Sequence, residues 1–430
     1  MPDTPPIPAA SVPARGYVVT AAGTAVNLCL GILYAWSVWK ATLAPKGVPA
    51  GTPMTGPNTG WVTLSESQAT WAYAVCGVTF ALMMVPGGRL QDRYGPRVGA
   101  VLAGLFLAAG CVVAGLAQNY LGLVLGFGLL GGIGMGLGYA AATPAAVKWF
   151  GPHRRGLVVG LVVAGFGGAA VYIAPLATAL IDGTGLTGSF LGLGALFGLV
   201  VVAAGLLLRP PPNGYVPPAG PARTGGRRPS FGRDLTTREM LRTPSYYALV
   251  GLFAGAAQAG LLIIANATPI LAETARDVPG LARNGWLLAA FGGLVNAAGR
   301  VGTGSYSDRL GRLNAYGLNG ILAAGCLLLT PTIIESRNIF LLFVVIGVAF
   351  WQYGGTLSLM PALTADYYGP KHLGLNYGCV FLGWGVAFFV PQLAAVVRDA
   401  TGRGDVPLYL SGGLLFLAVA GSRLVRRPAV

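Results

Sequence analysis

Arg300 stands about sixteen residues into an apolar run, with small and apolar neighbours on both sides. An arginine held at the centre of a bilayer costs roughly 2.5 to 3.5 kcal/mol on insertion scales, so something must compensate it. No aspartate or glutamate lies well inside any of the apolar runs of this chain, which leaves no obvious counter-ion in the polypeptide itself. A guanidinium pairs a carboxylate through two parallel N–H bonds, so an incoming carboxylate anion is the natural partner. The alternative is that Arg300 snorkels to an interface or bridges backbone carbonyls; Asp308 lies eight residues on, about 12 Å of helix rise. Asn296 precedes Arg300 by one turn on the same helical face, where its amide can donate to the second carboxylate oxygen or to a substrate hydroxyl, or tie two helices together. Tyr34, Tyr139, Trp351, Tyr353 and Trp384 fall near the middle of their apolar segments. Each offers an apolar wall with one polar tip, suited to lining a pocket for a small amphiphilic anion, although such residues also serve as plain packing.

The elements that position these residues are membrane helices. The 430 residues are 54% hydrophobic and 10% charged, against about 25% charged in an average soluble protein. Twelve segments approach the roughly 20 apolar residues that a crossing helix needs, the first at 17–39 and the last at 406–424. The 68 glycines fit helices that associate by close backbone approach. Residues 1–16 do not resemble a cleavable leader, because the apolar run after them is too long. Residues 209–243 are rich in Pro, Gly and Arg without apolar periodicity and read as a cytoplasmic linker. They divide an N-terminal bundle of six helices, 1–208, from a C-terminal bundle of six, 244–430.

Charge placement sets the orientation. With both termini on the cytoplasmic side, twenty of the 28 Lys and Arg fall in cytoplasmic loops and seven opposite, Arg300 belonging to neither. The net charge of +15 is therefore topological and does not point to nucleic acid. All five cysteines lie in apolar segments and both histidines in short connections, so neither metal nor cofactor is expected.

The two halves repeat one another. Gly88, Asp92, Arg93 and Gly95 recur as Gly304, Asp308, Arg309 and Gly311, a shift of 216; Gly151-Pro152, Gly156, Gly160 and Gly165 recur at a shift of 218; Asp182 and Asp399 differ by 217. Parallel repeats of this kind place a substrate site near mid-membrane where the halves meet. The segments Gly88-Arg-Leu-Gln-Asp92-Arg93-Tyr-Gly95-Pro-Arg97 and Gly304-Ser-Tyr-Ser-Asp308-Arg309-Leu-Gly311-Arg312 resemble the cytoplasmic loop motif of the major facilitator superfamily. In that motif the glycines permit a tight turn and close helix contact, and the Asp-Arg pair forms a latch that breaks when the carrier changes state. Within the superfamily, Gly138-Tyr139 through Pro144 to Lys148-Trp149-Phe150, with Arg155-Gly156, Gly160 and the helix-11 run Gly374-Leu-Asn376-Tyr377-Gly378, is similar to the oxalate/formate antiporter family, a bacterial relative of the monocarboxylate transporters.

The resemblance implies an all-α inner-membrane carrier of the major facilitator fold, multi-pass and monomeric, acting by secondary transport and not as an enzyme. It implies that Arg300 matches an essential carboxylate-binding arginine in helix 8, and that Tyr34 and Tyr139 are pocket tyrosines. Asn296 replaces the aspartate tied to proton coupling in animal monocarboxylate transporters. Oxalate exchangers carry a lysine near the place of Trp384, so a single fixed cation here argues for a monocarboxylate such as lactate, formate or pyruvate. A proton or an exchange anion would accompany it. Oxalate/formate exchange, efflux of hydrophobic compounds and a transporter-like sensor are the rival readings. Lys148 and Trp149 read first as an interface anchor.

Overall fold

The computed structural model describes residues 11–212, 214–218, 234–369 and 371–427, without the side chains of residues 152, 153, 155 and 156. Within the linker, 219–233 with Arg223, Arg227, Arg228 and Arg233 lies outside the described residues, as do Pro370 and the side chains of His153, Arg155 and Gly156.

The described chain is helical, with no strand beyond one isolated bridge between Pro53 and Val62. We number the long helices in chain order. They are α1 Ala14–Leu43, α2 Glu66–Tyr94, α3 Pro96–Ala117, α4 Tyr120–Val147, α5 152–184, α6 186–207, α7 Pro244–Thr274, α8 Trp286–Leu310, α9 Arg312–Glu335, α10 Ile339–Tyr368, α11 Leu373–Thr401 and α12 Asp405–Ser422. Among the described residues, ten stretches are long and apolar enough to cross a membrane. The continuous stretch Leu157–Leu207 contains most of α5 and all of α6, which part at Gly185 (φ 74°, ψ −177°). Helix α8 is not among the ten; Asn296, Arg300, Asp308 and Arg309 lower its hydropathy.

Helix α1 does not run straight. Gly31–Ala35 tightens into a 3₁₀ turn, and Gly31 lies so close to α5 that an added Cβ would stand 2.2 Å from the Ala169 Cβ. Tyr34 lies within that turn. In α4 a π-helical stretch, Val124–Gly131, precedes the turn that carries Tyr139, a widening of a kind often found beside functional sites. Two close approaches occur at positions 218 residues apart. Gly165 of α5 receives the backbone of α1 at Thr24, and its counterpart Gly383 of α11 receives α7 at Val250, where an added Cβ would lie 2.8 Å and 2.4 Å from the respective carbonyl oxygens. Only a residue without a side chain permits such approach.

At the linker's end Thr236 and Glu239 form a capping box on the short helix Thr237–Met240, the Thr237 hydroxyl donates to Asn376 Oδ1, and Asn376 Nδ2 donates to the Leu235 carbonyl. Asn376 thus ties the linker's end to α11. Trp149 is no interface anchor; it is 2% exposed, donates to the Arg209 carbonyl and accepts the Tyr215 hydroxyl on its own carbonyl.

Because overpacking at such contacts costs about 1 to 3 kcal/mol, Gly165→Val and Gly383→Val are each expected to lower the apparent melting temperature of the detergent-solubilised protein. Gly280→Val, where nothing lies within 4 Å of the added Cβ, is the control expected to leave it unchanged in a thermal-shift assay.

Candidate functional site

Arg300 projects from α8 into a small void bounded by Tyr34 of α1, Phe80 of α2, Tyr139 of α4, Phe166 of α5, Leu357 of α10, and Phe381 and Trp384 of α11. The empty space is about 170 Å³, divided among the ring edges so finely that a water-sized sphere fits nowhere in it. The side chain does not reach an interface; Arg300 is 4% exposed.

Its contacts are all neutral. Nη1 donates to the Val163 carbonyl of α5 at 3.0 Å, Nη2 to the Tyr34 hydroxyl at 3.4 Å and Nε to Asn296 Oδ1 at 3.4 Å. Tyr139 lines the same void without a hydrogen bond to the guanidinium. No carboxylate of the described residues lies within ion-pairing distance. A guanidinium has more N–H groups than these acceptors can satisfy, and two of the bonds are long.

The hydroxyls extend the imbalance. Tyr34 and Tyr353 share one hydrogen bond of 2.8 Å, and Trp384 Nε1 donates to the Tyr353 oxygen at 2.8 Å. One of the two hydroxyl protons serves that shared bond; the other has no acceptor among the described residues. The cluster is therefore rich in donors and poor in acceptors, with one full positive charge. Chemically, it fits an anion small enough to displace the long bonds, its oxygens taking the spare donors and its remainder lying on aromatic faces.

Five of the seven residues expected at the site, Arg300, Tyr34, Tyr139, Tyr353 and Trp384, come together. Asn296 is fully buried beside them, but its amide is committed to the Gly167 carbonyl and to Arg300, so it holds the guanidinium and joins α8 to α5. Trp351 is not brought to the cluster. It packs against Gly299 and Gly302 on another face of α8 and lines a separate groove with Phe291, Leu322 and Phe343. Phe80, Phe166, Phe381 and Leu357 were not foreseen. Phe166 was within reach, because adding the 218-residue offset to it gives Trp384.

Sequence reasoning also missed a second buried cation. Helix α1 continues to Leu43, so Lys40 is 2% exposed and not in a loop. Its ammonium lies 2.5 Å from Glu66 Oε2 and donates to Asn266 Oδ1 at 2.8 Å. Unlike Arg300, it brings its own counter-ion.

The two loop motifs share backbone and differ in pairing. Gly95 and Gly311 hold φ of 84° and 91°, where a side chain is strained, which accounts for both glycines. Gly88 and Gly304 have open space where a Cβ would stand, so they serve no close helix contact. Asp308 pairs with Arg312 at 2.5 Å and not with Arg309, and Asp366 stands 3.8 Å from Arg312. Asp92 is exposed and forms no ion pair with a described residue; the Arg93 guanidinium instead lies 5.3 Å from the Tyr94 ring centroid. Arg97 forms no ion pair and no side-chain hydrogen bond with a described residue, so nothing ties it to a latch here.

The sequence pattern of the Major Facilitator Superfamily matches residues 16–391. The chain belongs to the Major Facilitator Superfamily. This facilitator is similar to the oxalate:formate antiporter of Oxalobacter formigenes, 24% identical over 404 residues that cover 88% of each chain. It is likewise similar to the uncharacterized MFS-type transporter YhjX of Escherichia coli K12, 26% identical over 86% of this chain and 85% of the other. Human monocarboxylate transporter 11 is 28% identical over 93% of this chain and 80% of its own. The facilitator is thus a multi-pass membrane transporter.

Trp384→Ala removes both an aromatic wall and a donor to Tyr353, whereas Trp351→Ala leaves the cluster untouched. Trp384→Ala is expected to weaken binding of a small anion at the cluster roughly ten-fold, a loss in the range of one buried hydrogen bond plus an aromatic contact, and Trp351→Ala less than two-fold. Substrate-induced thermal stabilisation of the purified protein measures both.

Proposed function

We propose that this facilitator is a secondary active carrier of a small monocarboxylate of the lactate, formate or pyruvate type, working by alternating access around Arg300. Twelve helices cross the inner membrane in two bundles of six, with both termini and the loop motifs on the cytoplasmic side. The buried guanidinium with only neutral acceptors around it carries this reading. An arriving carboxylate replaces the Val163 carbonyl and the long bonds to Tyr34 and Asn296 with two charge-assisted bonds, and accepts a hydrogen bond from the spare hydroxyl of the Tyr34–Tyr353 pair. Neutralised in this way, the loaded site is cheaper to carry through a low-dielectric closed state than the empty one, which couples reorientation to occupancy.

One charge suits one carboxylate. Arg300 is the single Lys or Arg lining the void, and Lys40, the other buried cation noted above, is already matched by Glu66. The relationship to an oxalate:formate antiporter supports a second reading, exchange of oxalate for formate. In that case the dianion would use Arg300 alone.

Counterflow of radiolabelled lactate, formate, pyruvate and oxalate in proteoliposomes, with and without a pH gradient, separates these readings. The expected result is accumulation of a monocarboxylate that excess oxalate does not displace, reduced roughly a hundred-fold in Arg300→Ala and less in Arg300→Lys. Efficient oxalate counterflow would favour the exchanger. Uptake that is indifferent to Arg300 would remove the anion-carrier reading.

A further inference from the structure

The seam between the two sequence halves is sealed unevenly, and this follows from where charge crosses it. Lys40 to Asn266 at 2.8 Å, the Ser37 and Thr268 hydroxyls at 3.0 Å, Lys46 to Glu273 at 2.7 Å, and Arg398 to Glu66 at 3.3 Å all join a residue before 209 to one after 243. Every one lies at the end of the molecule opposite the loop motifs. At the motif end, the described ion pairs of Asp308, Arg312 and Asp366 stay within the second half.

The strongest crossing is made to the backbone. Helix α2 opens with free N–H groups at Glu66, Ser67 and Gln68, as every helix start does. Ser65 satisfies the last of these from its own chain, at 3.2 Å. The other two are satisfied from the opposite half: Glu66 N–H donates to Asp399 Oδ1 at 3.1 Å and Ser67 N–H to Asp399 Oδ2 at 2.9 Å. Asp399 is thus a cap supplied in trans, its negative charge set on the positive end of the α2 dipole. Beside it, Arg398 reaches the Glu66 carboxylate, which on its other side holds buried Lys40. Exposed ion pairs contribute little alone, and Asp399 and Arg398 sit at a wet rim. A carboxylate that fills both acceptor positions and anchors a four-charge network is a different case.

The second half of the pseudo-symmetric pair lacks the device. Asp182 occupies the place of Asp399 at the 217-residue offset, yet it is exposed and forms no hydrogen bond with the start of α8 among the described residues. There, Leu287 and Leu288 N–H bond back to Asn284 and Gly285.

We propose that Arg398 and Asp399 form a one-sided clamp on the first turn of α2, which holds the end opposite the loop motifs closed and sets the resting bias of the carrier. When that end opens, α11 withdraws from α2, Asp399 leaves two N–H groups to water and Glu66 keeps Lys40 as its partner. The 44–65 connection keeps Lys40 and Glu66 moving as one body, since Leu64 N–H bonds the Leu43 carbonyl, and Asn58 and Trp61 bond Leu186 and Thr187 of α6. The inference rests on the two-bundle reading above but not on the identity of the substrate.

Ser37→Cys tests it in the full-length protein in nanodiscs, because Ser37 is fully buried in the closed seam. The rate of maleimide labelling at that cysteine, corrected for the unsubstituted protein, reads opening without any substrate. Asp399→Asn and Arg398→Gln, each combined with Ser37→Cys, are expected to raise the rate roughly ten-fold, the factor carried by one charge-assisted contact. Asp182→Asn is expected to leave it unchanged. Circular dichroism and gel filtration verify folding, and Arg398→Gln carries the same expectation should Asp399→Asn fail to fold. Unchanged labelling in a folded clamp variant, or an equal rise in Asp182→Asn, would overturn the clamp; lost carboxylate transport with normal labelling changes would instead count against the substrate assignment alone.

Discussion

A guanidinium cannot shed its charge in a protein interior, so whatever surrounds Arg300 must supply acceptors or leave donors unsatisfied. The helices around it supply too few. A backbone carbonyl, an amide oxygen and a tyrosine hydroxyl stand where a carboxylate would be expected. Around that deficit, Trp384 Nε1 donates into the Tyr34–Tyr353 pair and adds to the excess of donors, and aromatic rings line the void.

Close packing makes the deficit stable. Gly31, Gly165 and Gly383 let α1 and α7 lie against α5 and α11 at backbone distance, so the void around the arginine collapses to a volume that admits no water. The contrast with Lys40 is instructive. Both cations are buried, but the lysine stands beside a glutamate at the seam, while the arginine has only neutral acceptors around it.

Much of this was legible because polar residues in apolar helices have few reasons to be there. Arg300, Tyr34, Tyr139, Tyr353 and Trp384 stood out on that ground, and the structure gathers them. Trp351 was grouped with Tyr353 against helical geometry: two residues on an α-helix point about 200° apart, so both cannot face one site. Phe80, Phe381 and Leu357 gave no signal, because an apolar lining residue looks like any other lipid-facing or packing residue until a third dimension is supplied. Lys40 was hidden by assigning the end of α1 a few residues early, which turned a buried cation into a loop charge. The repeat offset carried more information than was drawn from it, since it also relates Phe166 to Trp384. It also misleads where the halves have diverged, as at Asp92 and Asp308, whose loops share a glycine turn but not an ion pair.

The central claim is that the missing counter-ion of Arg300 is the cargo. An experimental structure of the full-length protein with a bound monocarboxylate tests it most directly. The expected result is an anion whose oxygens lie about 3 Å from the Arg300 nitrogens and a tyrosine hydroxyl, with the bond to the Val163 carbonyl released. A carboxylate bound elsewhere, with the guanidinium still on Val163, would contradict it.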